Sequence, residues 1–352
     1  MSKCIIVAEM SANHHGDKQL AIETIRAAKR AGADAIKMQT YTADTITLDC
    51  DAPDFIINEG SIWDGRTFHE LYEKAYTPWE WHEELFKVAH EEGLMCFSSP
   101  FDKTAVDLLE SLNAPMYKIA SFEITDIPLI EYAASKMKPM IMATGISTIE
   151  DIELAVNACR KVGNNDITLL KCTSAYPAPV EEANVIMIRD LAERFGVKAG
   201  LSDHTIGSMV PVLAVANGAV MIEKHFILNK DVESEDSSFS MDEKEFGEMV
   251  KQVRLAEVAM GKVDYTLTEK MKGSRTACRS LYVAEDVKAG DVVTEKNVRS
   301  VRPGYGLHPK YLPEVLGKKF VKDCQMGERF SLELIDKSFR FQVVETGGKV
   351  KI

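Results

Sequence analysis

The chain has 352 residues, of which 45% are hydrophobic and 27% charged, with 21 glycines and 12 prolines. That composition excludes collagen-like, coiled-coil and disordered chains and leaves room for one large domain plus a smaller one. With 54 acidic against 42 basic side chains the net charge is −12, a field that repels nucleic acid and anionic membranes, so small molecules are the expected partners. An anionic substrate must then be captured by a few local lysines and backbone amides. The apolar run at residues 4–8 is too short for a signal segment, and no run approaches eighteen apolar residues. The seven cysteines are scattered, with no CxxC pair. Together these features predict a cytoplasmic chain with reduced thiols and no membrane span.

Short apolar runs predict strands at 5–9, 35–39, 95–98, 116–119, 140–143, 168–172, 199–202 and 220–225. Apolar residues at three and four spacing predict helices over 18–31, 78–92, 103–112, 128–135, 148–162, 184–195, 208–217 and 242–260. Eight strand-then-helix units over roughly 260 residues fit a (β/α)8 TIM barrel. A doubly wound open sheet is the alternative, but no GxGxxG opens a helix after the first strand. Two long inserts, 41–77 after strand two and 229–241 after strand eight, follow strands and are expected to wall the catalytic face. The expected division is a barrel over 1–262, a polar linker over 263–280, a small β-rich domain over 281–338 and an unplaced tail over 339–352. A domain of that size has little core of its own and is expected to lean on another surface.

Alternation along strand two turns Ile36 and Met38 to the helices and Lys37 and Gln39 inward; strand four likewise supplies Lys118, followed by Ser121 and Glu123. Buried lysines imply either an anionic ligand or pairing with Glu9 or Glu123 inside the barrel. Strand seven ends with Ser202 and His204 on one face, and strand eight with Glu223 and His225, so two imidazoles can converge on one ion. From these residues alone manganese, zinc, iron and cobalt all remain open. His14 and His15 fall in a loop, while His69, His82 and His90 fall on amphipathic segments where solvation is expected. Ser98, Ser99, Ser121, Thr144, Gly145, Thr173 and Ser174 place small hydroxyls and free amides after four successive strands, suited to phosphate oxygens beside the lysines.

The segments AEMSANHHG, GADAIKMQTY, FSSPFD, YKIASFE, KPMIMATG, KCTSAYP, GLSDHTIG and EKHF, with VRPGYGLHP and LGKK later in the chain, resemble in order those of the sialic acid synthase family. The likeness covers roughly residues 4–335, and the insert GSIWDGRTFHELYEKAYTPWEWH and the loop ESEDSSFSMD are most similar to its pseudaminic branch. It implies a barrel followed by an antifreeze-like (SAF) domain, in a domain-swapped homodimer. The implied reaction is metal-dependent condensation of phosphoenolpyruvate with 2,4-diacetamido-2,4,6-trideoxy-L-altrose and water, giving pseudaminic acid and phosphate. Manganese is the expected ion, with magnesium or cobalt as alternatives. Residue by residue, the resemblance implies metal ligands at His204 and His225, and phosphoenolpyruvate contacts at Lys37, Ser99, Lys118, Ser121 and Ser202. It implies sugar contacts at Gln39, Tyr176, Asp236 and Arg302, the last reaching across the dimer, and catalytic roles for Glu9, Lys118, Glu123 and Asp236, with Glu223 lining the same mouth. Ala143 and Ser174 depart from the neuraminate-type pattern, and with the aromatic insert they favour a less polar sugar. The alternatives are a neuraminate or legionaminate synthase and, more remotely, a lyase forming a Schiff base on Lys118 or a non-catalytic glycan-binding protein.

Overall fold

The structure, a computed structural model, describes residues 3–58, 64–232, 234 and 236–336. The chain divides into two compact units, Met1–Gly261 and Lys262–Ile352. In the first, β1 (Ile5–Glu9), β2 (Ala35–Thr40), β3 (Met95–Pro100), β4 (Tyr117–Ile119), β5 (Met140–Ala143), β6 (Ile167–Cys172), β7 (Lys198–Asp203) and β8 (Met221–His225) pair in sequence order. Parallel pairing of β8 with β1, His225 opposite Glu9, closes the barrel.

The helices α1 (Lys18–Arg30), α4 (His82–Glu91), α5 (Lys103–Ser111), α6 (Ile127–Ser135), α7 (Ile149–Lys161), α8 (Met187–Phe195), α9 (Met209–Ala216) and α10 (Glu243–Met260) follow these strands, while α2 (Ala43–Ile46) and α3 (Phe68–Ala75) belong to the first insert. Helix starts are set by side-chain caps: Asp17, Asp102, Asp126, Thr148 and Asp242 each accept from backbone amides of the first turn.

Strand alternation sorts the side chains. Ile6, Ala8, Ile36, Met38, Tyr117, Ile119 and Ile222 pack outward against the helices. Val7, Ala35, Phe97, Ile141, Leu170 and Met221 fill the interior. That apolar plug forms a floor for the charged ends of the strands. Gly200 faces the same interior, where a Cβ would lie 2.4 Å from the Met221 carbonyl oxygen and 2.8 Å from Leu170 Cδ2, so no side chain fits.

The first insert is tied down at its base: Trp79 Nε1 donates to Tyr41 O at 3.0 Å, His82 bonds Thr40 Oγ1 at 2.9 Å, and His14 bonds Thr77 Oγ1 at 3.0 Å. Solvation was the expectation for His82, and the structure corrects it. His82 is buried, shares Thr40 with Ser98, and burial lowers its imidazole to about 4. The second insert is anchored by Asn13, whose amide donates to Phe226 O and Ser240 Oγ.

In the second unit β9 (Ser280–Val283) pairs antiparallel with β10 (Val298–Val301), and Leu281, Val283, Val298, Phe320 and Phe330 centre a small core that also includes Val315 of α12 (Leu312–Val315). The stretch expected to be a linker contains α11 (Glu269–Ser274), none of whose residues is buried. The tail over 339–352 lies outside the described residues. Among the described residues no helix is long and apolar enough to cross a membrane.

Candidate active site

The carboxyl ends of the strands open on a cavity of about 500 Å³. Its lining includes thirteen of the residues singled out from the sequence: Glu9, Lys37, Gln39, Lys118, Ser121, Glu123, Ser174, Tyr176, Ser202, His204, Glu223, His225 and Asp236. Ser99 stands behind Lys37, 3.3 Å from its Nζ. Arg302 follows β10 in the second unit and is exposed.

Both inward lysines are buried and paired. Lys37 Nζ lies 2.5 Å from Glu9 and 3.9 Å from Glu223, and Lys118 Nζ lies 3.4 Å from Glu223 Oε1. Lys37 thus has the partner the pairing reading assigned to it, whereas Lys118 is paired across the barrel with Glu223. The two lysines thus stand against two carboxyl groups, Glu9 and Glu223. Burial raises the Glu9 carboxyl above its usual range despite Lys37, so a proton is readily taken there. Burial acts the same way on Glu223, but Lys118 and Lys37 outweigh it and keep that carboxyl below the usual range.

Glu123 sits in the turn after β4 (Ser121–Glu123), with Oε2 buried and without a hydrogen bond. Burial pushes its carboxyl up to about 7, against the attraction of Lys118. Because this is above the ordinary carboxyl value, the stability contributed by protonated Glu123 is complete below about 4.5 and lost as pH rises through about 7. Glu123→Gln should flatten that part of the stability–pH curve. If Glu123 is the base, the variant should also lose the limb of the kcat/KM profile that rises near pH 7.

The two histidines meet with ring centroids 5.3 Å apart. His204 Nδ1 donates to Thr173 O at 2.8 Å, which leaves the Nε2 lone pair for a ligand. His225 Nδ1 is buried and makes no hydrogen bond. Burial, together with the charges of His204, Lys37 and Lys118, holds His225 well below its usual range and hence neutral. Burial disfavours the charged form of His204, but Cys172, Thr173 O and Glu223 outweigh it and raise that imidazole above its usual range. With Glu223 and Asp236 the two rings offer nitrogen and oxygen donors that fit a divalent cation of intermediate hardness. Among the described residues no cluster of three or more His, Cys, Asp or Glu side chains is arranged to hold an ion.

Behind these histidines, on the helix side of the wall, is an ion pair that sequence reasoning missed. Lys224 Nζ lies 2.6 Å from Asp203 Oδ2, both fully buried, and also donates to Thr205 O. Thr205 returns its amide and hydroxyl to Asp203 at 3.0 and 3.1 Å. His204 lies between the two residues of this closed ring, and Lys224 lies between Glu223 and His225. Lys224→Met leaves Asp203 charged and unpaired and should cost about 3–5 kcal/mol in denaturant unfolding. It should also weaken Mn²⁺ binding, read by calorimetry, by about 10–100-fold.

Of the hydroxyls expected to face the site, Ser121, Ser174 and Ser202 do. Ser98 instead bonds Thr40, Thr144 donates to Leu170 O, and Thr173 donates to Glu182 O. Gly145 serves by its amide, which donates to Ser121 Oγ at 3.1 Å; a Cβ there would lie 2.1 Å from Ser174 Oγ. Cys172 and Phe239 were not singled out. Cys172 is inward on β6 by the same alternation as Leu170, and its Sγ lies 3.9 Å from His204 Nδ1. Phe239, from the second insert, packs 4.9 Å from the His225 ring and 5.2 Å from that of Tyr176.

An eight-stranded barrel whose mouth gathers buried lysines, carboxylates and two histidines has the architecture of an enzyme that acts on a small anion. The NeuB family model matches residues 24–265 and the SAF domain model residues 279–330. The chain belongs to the NeuB family. It is 50% identical over 326 residues to the pseudaminic acid synthase of Campylobacter jejuni, covering 93% of this chain and 95% of the relative. To the pseudaminic acid synthase of Helicobacter pylori it is 49% identical, covering 95% and 98%. Among solved structures, the spore coat polysaccharide biosynthesis protein spsE of Bacillus subtilis matches with a TM-score of 0.64 at 31% identity, over 95% of each chain.

Proposed function

We propose that the chain is a pseudaminic acid synthase, joining phosphoenolpyruvate to 2,4-diacetamido-2,4,6-trideoxy-L-altrose with release of inorganic phosphate. The observation that carries this is the near-full-length identity of about half to pseudaminic acid synthases of two organisms. The cavity, with two buried lysines beside two histidines, supports it.

Lys37 and Lys118 hold the phosphate and carboxylate of phosphoenolpyruvate, with Ser99, Ser121 and Ser202 donating to its oxygens. Gln39, Tyr176 and Asp236 orient the open-chain sugar. A divalent cation on His204 and His225, manganese in this reading and magnesium or cobalt otherwise, supplies Lewis-acid polarisation of the aldehyde oxygen when bound. The C3 carbon of phosphoenolpyruvate attacks the aldehyde carbon, and positive charge develops at C2 where Glu123, Glu9 and Asp236 stabilise it. Water adds at C2, giving its proton to a carboxylate, for which Glu123 with its value near 7 is best matched. The C2–O bond to phosphate then breaks as the new C2 hydroxyl gives up its proton to the departing phosphate, leaving a 2-keto acid. Phosphate departs with the bridging oxygen, its charge held by the lysines.

The protein acts in the cytoplasm as a homodimer, with Arg302 reaching the partner's barrel mouth; the exposed position of Arg302 after β10 is compatible with that role. Competition between the altrose derivative and N-acetylmannosamine, with phosphoenolpyruvate and Mn²⁺, tests substrate choice through kcat/KM. Preference for the altrose derivative is expected. Comparable values would contradict the pseudaminic assignment while sparing the family.

A further inference from the structure

Helix α3 is unusual among the helices of the barrel unit because it buries none of its residues. Its apolar side chains nevertheless form a stripe. Phe68, Leu71, Tyr72 and Ala75 recur at the spacing of one helical face, and all four line the cavity. The other face carries Glu70, Glu73 and Lys74, which are exposed. A helix normally turns its apolar stripe onto a core; here the stripe is turned onto the space that receives substrate.

The position of the helix is built. Thr67 and Glu70 close a capping box at its start, His69 bonds Asp44 of α2 at 3.0 Å, and the Tyr72 ring lies 5.6 Å from that of Tyr41. Tyr41 in turn packs 5.1 Å from Phe101, which also lines the cavity. The lining thus divides by chemistry. Lysines, carboxylates and histidines serve the anion and the reacting carbonyl, and the α3 stripe with Phe101 is apolar apart from the Tyr72 hydroxyl.

We infer that the α3 stripe is the specificity determinant of the site and takes the non-reacting part of the sugar through its methyl groups, the deoxy carbon and the acyl methyl. This rests on the synthase reading given above. A hydroxyl-rich tail seated there would lose bonds to water that Phe68, Leu71 and Ala75 do not replace, while a deoxy, N-acylated tail buries methyl groups against Phe68, Leu71 and the Tyr72 ring. Selectivity then comes as much from rejecting hydroxyls as from attracting methyls.

The test compares the wild-type chain with Phe68→Ala/Leu71→Ala and with Leu71→Asn, none of which removes a buried core residue. The kcat/KM for the doubly acetamidated 6-deoxy sugar should fall by about 10–100-fold in the double variant, with that for N-acetylmannosamine and the KM for phosphoenolpyruvate unchanged. Leu71→Asn should shift the ratio of the two sugars in the same direction. Equal losses on both sugars, or no change in their ratio, would overturn the inference and make α3 a scaffold. If wild-type protein turned over neither sugar, the synthase reading itself would fail, and the inference with it.

Discussion

Replacement of His204 or His225 by alanine is expected to lower turnover about a thousandfold or more, because in the proposed mechanism each would remove one of two protein ligands to the ion that polarises the aldehyde. The barrel should stay folded. Both side chains end their strands above the apolar plug formed by Val7, Phe97, Ile141 and Leu170, and neither belongs to that cluster. The variants should also lose Mn²⁺ binding by calorimetry, which separates loss of the ion from misplacement of substrate. Chelation of wild-type protein should abolish activity and addition of Mn²⁺ restore it. Full activity of chelated protein in metal-free buffer would refute the role assigned to the histidine pair.

The second large effect is complementation between chains. Arg302→Ala and His204→Ala proteins should each be inactive alone. After subunit exchange, a heterodimer with swapped small domains carries both lesions at one mouth and neither at the other. With random exchange of equal amounts, about a quarter of all mouths are intact and activity reappears to that extent. If each mouth were completed by its own chain, every site in the mixture would keep one lesion and no recovery would be seen.

Much of this architecture is legible in the sequence because a barrel strand writes its two faces into alternate residues. Ile36-Lys37-Met38-Gln39 and Glu223-Lys224-His225 announce which side chains face the mouth, and the structure places Lys37, Gln39, Glu223 and His225 there. Side chains from distant strands choose partners by tertiary proximity, which one-dimensional spacing does not encode. Lys118 on β4 therefore meets Glu223 on β8 rather than Glu123 in its own loop. The same limit hid the Lys224–Asp203 pair, since residues on the helix side of a wall are expected to be apolar. His82 looked solvated because an amphipathic helix does not reveal that Thr40 and Ser98 wait at its buried end. Phe239 lies in a polar loop whose course over the histidines has no periodic signature.

The most direct test of the central claim follows one oxygen atom. Phosphoenolpyruvate labelled with ¹⁸O in the bridge between C2 and phosphorus is incubated with the protein, Mn²⁺ and the diacetamido altrose, and the products are read by mass spectrometry. The account predicts one phosphate released per sugar consumed, with the label in phosphate, and a nine-carbon 2-keto acid whose C2 oxygen comes from water. Label retained in the sugar acid, or phosphate released without a condensed product, would contradict it.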